Sequence, residues 1–318
     1  MKKIILASAL SAALSANAWV IDGMGEYQFE ALNSQVQIMH GPLGAPSVEN
    51  QGFMNNPGII IADNGVIVVD PGSTLHVGRK VIEEIEKVTD KPIVGVFNTH
   101  VHGDHWLGNQ AIMERYPNAQ IYAHPEMIAQ AKGGAGESWV NLMMDYTAGL
   151  AEGTIATYPT DGTAHLQQIQ MAGETFVIHY NANKKAHTDT DIMIEHVGSN
   201  TLFLGDNCMN ERFGQFGDSS DIHENIITLE YAKALGLNHY VPGHGASGNV
   251  DEALMPYLSY LKILKEEATR GYDEDLADYE IKPNAHARLS DYHSWGGYEG
   301  QMGKHLNRML LEVEAKDL

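Results

Sequence analysis

The chain has 318 residues with 20 Lys and Arg against 41 Asp and Glu, a formal net charge of −21. A surface this acidic repels nucleic acids and anionic membranes, so no nucleic-acid partner is expected. A single cysteine, Cys208, rules out an internal disulfide, and a 43% apolar composition is ordinary for a globular protein.

In chain order, residues 1–18 carry two lysines, an apolar run over residues 4–14 and the triplet Ala16-Asn17-Ala18, the pattern of a signal peptide cleaved after Ala18. The run is too short for a membrane anchor. The mature chain is therefore expected to begin near Trp19, to be periplasmic or secreted, and to carry −23 once Lys2 and Lys3 are gone. Residues 27–39 alternate loosely and predict a strand pair. Gly58-Ile59-Ile60-Ile61 and Val66-Ile67-Val68-Val69 flank Asp63-Asn64-Gly65, a hairpin signal. Val77, Val81, Ile82 and Ile85 have helical spacing. Residues 92–97 read as a buried strand, and further strands are expected at 121–123, 176–179, 192–196 and 202–204. A helix is expected over 222–235, and two more at 250–267 and 302–313. Strands and helices mixed in two halves predict an α/β protein, a four-layer αβ/βα sandwich over residues 19–250 with a C-terminal helical extension over 251–318 packed on it. No repeat interrupts this plan.

The chemistry concentrates at residues 99–109, which read Thr-His-Val-His-Gly-Asp-His-Trp-Leu-Gly-Asn. His100 and His102, two apart in extended backbone, point the same way and can grip one ion. Asp104 and His105 lie beyond Gly103, where the chain can turn toward a second. Three isolated positions follow: His187, Asp206 at the end of Leu-Phe-Leu-Gly-Asp, and His244 in Val-Pro-Gly-His-Gly.

His-x-His-x-Asp-His, a lone His, a Gly-Asp and a Gly-His, in this order, resemble the metallo-β-lactamase superfamily, and Asp70 in Val-Val-Asp-Pro-Gly matches an earlier element of it. The resemblance covers roughly residues 28 to 250. It implies one metal site of His100, His102 and His187, a second of Asp104, His105 and His244, and Asp206 as the bridge between them. A bridging aspartate is the pattern of glyoxalase II-type thioesterases, lactonases and phosphodiesterases, whereas zinc β-lactamases carry Cys or Ser there. Cys208 is a register alternative, though Gly205-Asp206 fits better. Two departures, Leu107 before Gly108 and Thr190 where a glycine is common, concern loop shape.

Such a site would hold two Zn²⁺ per chain, with iron or manganese as other metals that suit the donors. A zinc pair lowers the pKa of a shared water toward ~7. The expected function is that of an exported dinuclear zinc hydrolase using a bridging hydroxide on a small ester, lactone, thioester or amide, with Asp104 orienting the nucleophile. The alternatives are a zinc β-lactamase and a mononuclear iron oxidoreductase. The substrate is expected to be a small molecule, and oligomeric state stays open. Asp70 and His124 are candidates to support ligand imidazoles from behind. Substrate choice is expected in loops 41–56, 132–162 (with Trp139, Met143, Met144 and Tyr146) and 211–221, with Trp106 lining the cleft and Arg212 as a carboxylate anchor. Ten of the 16 histidines, among them His165, His179 and His305, lack a ligand-like context and read as core or surface.

Overall fold

The computed structural model describes residues 27–180 and 185–316; the expected leader and its cleavage point lie outside them. Two sheets stack face to face. The first holds β1 (Glu30–Ala31), β2 (Val36–Ile38), β3 (Gly58–Ala62), β4 (Gly65–Val69), β5 (Ile93–Phe97), β6 (Gln120–Ala123) and β7 (Asp161–Gly162), side by side in sequence order. It is antiparallel from β1 to β4 and parallel from β4 to β7. The expected hairpin is present, with Ala62 paired to Gly65 across a two-residue turn. The second sheet holds β8 (Gln168–Met171), β9 (Glu174–His179), β10 (Met193–His196), β11 (Thr201–Met209) and β12 (His239–His244). Its order is β12-β11-β10-β9-β8, and only β11 and β12 run parallel.

The alternation of strand side chains builds four layers. On β4, Ile67 and Val69 face the second sheet and meet Phe176, Ile178, Ile194 and Phe203. Val66 and Val68 face the other way, against Val77, Val81 and Ile85 of α1 (Leu75–Val88). Thr74 starts α1 by accepting the Val77 N–H on its hydroxyl. Behind β5 come the short α2 (Gly103–Trp106) and α3 (Asn109–Arg115), then α4 (Pro125–Gln130) and α5 (Gly136–Tyr146). The outer face of the second sheet, with Met193, Leu202, Leu204 and Tyr240, packs on α6 (Ile222–Ala234) and on α7 (Met255–Asp273), α8 (Asp278–Arg288) and α9 (Tyr298–Lys316) in one continuous cluster. Each leucine buried there, such as Leu261 or Leu306, contributes about 1.5–3 kcal/mol.

Several details differ from the sequence expectation: β7 and β8 lie where no strand is expected, and three further differences have local causes. The helix expected from residue 250 opens as a wide π turn, Val250–Leu254, capped by Asn249, whose Oδ1 accepts from the Asp251 and Glu252 N–H groups. α8 has no counterpart among the expected elements, because it carries Pro283 and buries only Ile281 and Ala285, too few for an apolar stripe. β11 runs on to Met209 instead of ending at Asp206. No helix of the described residues is long and apolar enough to cross a membrane.

Candidate metal centre

The site sits at the shared edge of the two sheets. Past β5 the chain passes His100 and His102, then coils into α2, which carries Asp104 and His105. His187 lies between β9 and β10, and His244 ends β12. Asp206 is inside β11, where the pairing with β12 shifts register on both sides of Gly205. Gly205 has φ +54°, and a Cβ there would lie 2.7 Å from Thr99 Cβ. This bulge turns the Asp206 carboxylate out of the strand and into the cluster. Gly243 is equally constrained, since a Cβ on it would clash with Asp206 Oδ1.

All seven predicted ligands converge as two sets: His100, His102, His187 and Asp206, and Asp104, His105 and His244. Asp206 Oδ2 lies 3.8 Å from His100 Nε2 and 3.5 Å from His187 Nε2. Its other oxygen, Oδ1, lies 3.1 Å from His105 Nε2 and 3.3 Å from His244 Nε2. Asp104 Oδ2 completes the second set, 3.5 Å from His105 Nε2 and 3.4 Å from His244 Nε2. His102 presents Nδ1, 3.1 Å from His187 Nε2.

Groups behind the ligands fix which nitrogen is bare. His244 Nδ1 is 2.7 Å from the Met54 carbonyl, which can only accept, so Nδ1 carries the proton and Nε2 a free lone pair. His105 Nδ1 donates to Asp70 Oδ2 at 2.8 Å. Thr99 donates its hydroxyl proton to that same Asp70 oxygen and accepts from His100 Nδ1 at 3.0 Å. Asp70 therefore contacts two of the clustered imidazoles, one directly and one through Thr99. The atoms left bare, His100 Nε2, His105 Nε2 and Asp206 Oδ1, are buried and have no hydrogen-bond partner among the described residues. Unsatisfied buried polar atoms are rare in native proteins. Nitrogen and carboxylate donors clustered this way fit divalent zinc, iron or manganese.

The electrostatics agree. Burial, reinforced by His105, pushes His100 well below the usual imidazole range, and burial takes His187 down to about 3. Burial would also lower His105, but Asp206, Asp104 and Asp70 together raise it well above its ordinary value. Burial opposes ionisation of Asp206 and Asp104, yet the facing His244 and His105 hold both carboxyls low. The pocket thus demands positive charge, which a metal ion supplies in place of protons.

The other predicted residues fare unevenly. Trp106 does not line a cleft: it is fully buried, donates its indole N–H to Val101 O and packs with Leu107, Ala123 and Met127. Trp139 of α5 is half-buried, with its ring 5.1 Å from that of His102. His124 does not support a ligand imidazole. Its Nδ1 caps α4 by accepting from Glu126 N–H, and its ring packs on Tyr180. Arg212 is 9% exposed; its Nη1 donates to Gly44 O and its Nε has no hydrogen-bond partner among the described residues. Cys208 points away from the cluster and donates to Ala253 O, so Gly205-Asp206 is the correct register. Thr190, in place of a glycine, accepts the Val101 N–H. Loop 41–56 is anchored at its C-terminal end, where Asn56 donates to Pro242 O and Gly245 O. The loop after Asp206 is held by the C-terminal extension, with Gly296 accepting from Phe213 N–H and donating to Glu211 O.

A family model for the metallo-β-lactamase superfamily matches residues 51–244. A probable metallo-hydrolase of Streptococcus pyogenes serotype M6 is 25% identical over 199 residues, 60% of this chain and 79% of that protein. A linear primary-alkylsulfatase of a Pseudomonas species is 35% identical over 74 residues, 22% of this chain and 14% of that protein. Among solved structures, the sec-alkylsulfatase Pisa1 of Pseudomonas sp. superimposes with a TM-score of 0.65 at 14% identity, covering 89% of this chain and 50% of that one. With its family motifs gathered into two metal-binding clusters and its model match spanning more than half its length, the chain belongs to the metallo-β-lactamase superfamily and is a metal-dependent hydrolase by kind.

Proposed function

We propose that the protein is an exported dinuclear zinc hydrolase that cleaves a small ester, lactone, thioester or amide. One observation carries the reading: the two oxygens of Asp206 face different ligand sets, Oδ1 toward His105 and His244 and Oδ2 toward His100 and His187. When bound, a zinc pair supplies Lewis acidity and a water acidic enough to ionise near neutral pH. The residues of the chain do the remaining work. Asp70, Thr99 and the Met54 carbonyl hold the imidazoles in their ligating tautomers. Asp104, 6% exposed, is the group we assign to orienting the attacking water. Trp139 borders the first set, and Arg212 offers a buried cation to an anionic part of the substrate. Export rests on the leader pattern of residues 1–18.

A second reading, hydrolysis of a sulfate ester, draws support from the alkylsulfatase relative and from Arg212, whose Coulombic partners include Asp206 and Asp104. The test is elemental analysis of the purified protein together with turnover of a chromogenic ester, a lactone, a thioester, nitrocefin and an alkyl sulfate. Near two zinc per chain with ester, lactone or thioester turnover is expected. Turnover of the alkyl sulfate alone selects the second reading. One iron per chain with no hydrolysis in the panel overturns both.

A further inference from the structure

His100, His105 and His244 are gripped behind their rings by Thr99, Asp70 and the Met54 carbonyl. His187 is different. Its Nε2 faces His102 and Asp206, and its Nδ1 is buried with no hydrogen-bond partner among the described residues. A metal ligand has to be held in its binding orientation, and the groups that hold it count nearly as much as the ligand itself. The direction of the His187 ring therefore depends on how its main chain is held.

Two successive carbonyls of that main chain are tied to one place. The Ser220 hydroxyl donates to His187 O at 2.6 Å, and the Asp221 N–H donates to Ala186 O at 2.9 Å. Ser220 is 2% exposed, and its hydroxyl also accepts from Gly217 N–H at 3.0 Å, which fixes its direction. Behind Ser220 stands α9. Arg308 Nη2 donates to Ser220 O at 2.6 Å, and its Nε donates to Glu312 Oε1 at 2.9 Å. Both bonds carry the charge of the guanidinium, which makes them stronger than neutral ones. Glu312, 9% exposed, accepts the Ile222 and His223 N–H groups at 3.1 and 3.0 Å, in the first turn of α6, where a helix has unpaired donors. Arg308 thus holds the chain just before Asp221 and Glu312 holds it just after.

We infer that Arg308 and Glu312 of the C-terminal extension are positioning residues for the metal ligand His187, acting on it through Ser220 and Asp221. Both lie beyond residues 51–244, the span that the family model matches. The inference rests on the zinc-centre reading and is independent of which bond the enzyme cleaves.

The test is the zinc affinity of the full chain, measured by competition with a chromogenic chelator, in the wild type, Arg308→Met, Ser220→Ala and the double variant. Arg288→Met is the control, since it breaks ion pairs between α8 and α7, with Glu266 and Glu267, inside the same extension. The wild type should bind two zinc ions, one of them about tenfold more weakly in Arg308→Met and in Ser220→Ala. The double variant should be no weaker than the worse single one, because the two residues act in one line. Arg288→Met should bind both ions as the wild type does, even where it lowers stability. Unchanged zinc affinity in Arg308→Met, additive losses in the double variant, or an equal loss in Arg288→Met would each overturn the assignment. A wild type that binds no zinc would bring down the zinc-centre reading and this inference with it, whereas two ions in the wild type and in an unchanged Arg308→Met sink this inference alone.

Discussion

His105 and His179 each give one ring nitrogen to a carboxylate at 2.8 Å, Asp70 in the first case and Glu195 in the second. At His105 the other nitrogen is buried, has no hydrogen-bond partner among the described residues, and faces Asp206 Oδ1 across 3.1 Å. At His179 the other nitrogen takes the proton of Tyr231. One carboxylate–imidazole pair thus makes a metal ligand, and the other polarises a phenol. The pair alone does not decide the outcome. What decides it is whether the third group brings a proton, as Tyr231 does, or only more lone pairs, as Asp206 and its neighbours do.

The strongest way to break the comparison is to give the bare cluster a donor of its own. Asp206→Asn places an N–H among the bare nitrogens and removes the shared charge; several kcal/mol of electrostatic stabilisation go with it, on the order of 10³-fold in kcat. Bound metal should fall from two per chain to one or fewer, as read by elemental analysis. If the Asp206→Asn variant keeps two metals and full turnover, the bridge has no place in the scheme.

His305 extends the comparison to a histidine whose nitrogens are both satisfied without a carboxylate. Its Nε2 donates to Gly214 O and its Nδ1 accepts from Tyr260, and burial takes it down to about 4. The unfolded chain therefore takes up this proton first as pH falls. Stability is full above pH ~6.5, drops by up to about 3 kcal/mol between 6.5 and 4, and levels off below. Urea midpoints across that range should fall less steeply in His305→Gln than in the wild type. Parallel profiles would show that His305 titrates normally in the fold.

The paired substitutions Asp70→Asn and Glu195→Gln sharpen the contrast directly. Losing the carboxylate behind a metal-bound imidazole typically costs 10–100-fold in metal affinity or activity. Chelator competition should show that loss for Asp70→Asn. For Glu195→Gln, the smallest effect in the series, metal affinity and turnover should stay within twofold of wild type, because His179 touches none of the seven ligands.

Much of this is legible before folding. His100, His102, Asp104 and His105 advertise themselves because four donors in six residues serve no purpose in a core, and the isolated His187, Asp206 and His244 are readable once that cluster sets the order. The layers can be read wherever alternation is strict, as in β3 and β4. Trp106 misleads because closeness in sequence to the ligands says nothing about which side of α2 faces the core; α4 and α5 cover it, and Trp139 reaches His102 from 37 residues away. The Met54 carbonyl leaves no trace at all, since every residue has one, and Thr99 matters only because Gly205 lets β11 come within touch of it.

The seven ligands are divided between the two halves of the sandwich. His100, His102, Asp104 and His105 come from the half built on the first sheet, and His187, Asp206 and His244 from the half built on the second. Neither ligand set is complete in one half, and the bridging contact of His102 with His187 spans 85 residues, that of His244 with Met54 190. Contacts of such separation form late in folding. A growing or partly folded chain therefore offers an ion only a loose His-x-His chelate, and full affinity arrives with the docked native state. Metal in this protein acts as a clasp that closes after assembly, so its loading records that the two halves have met.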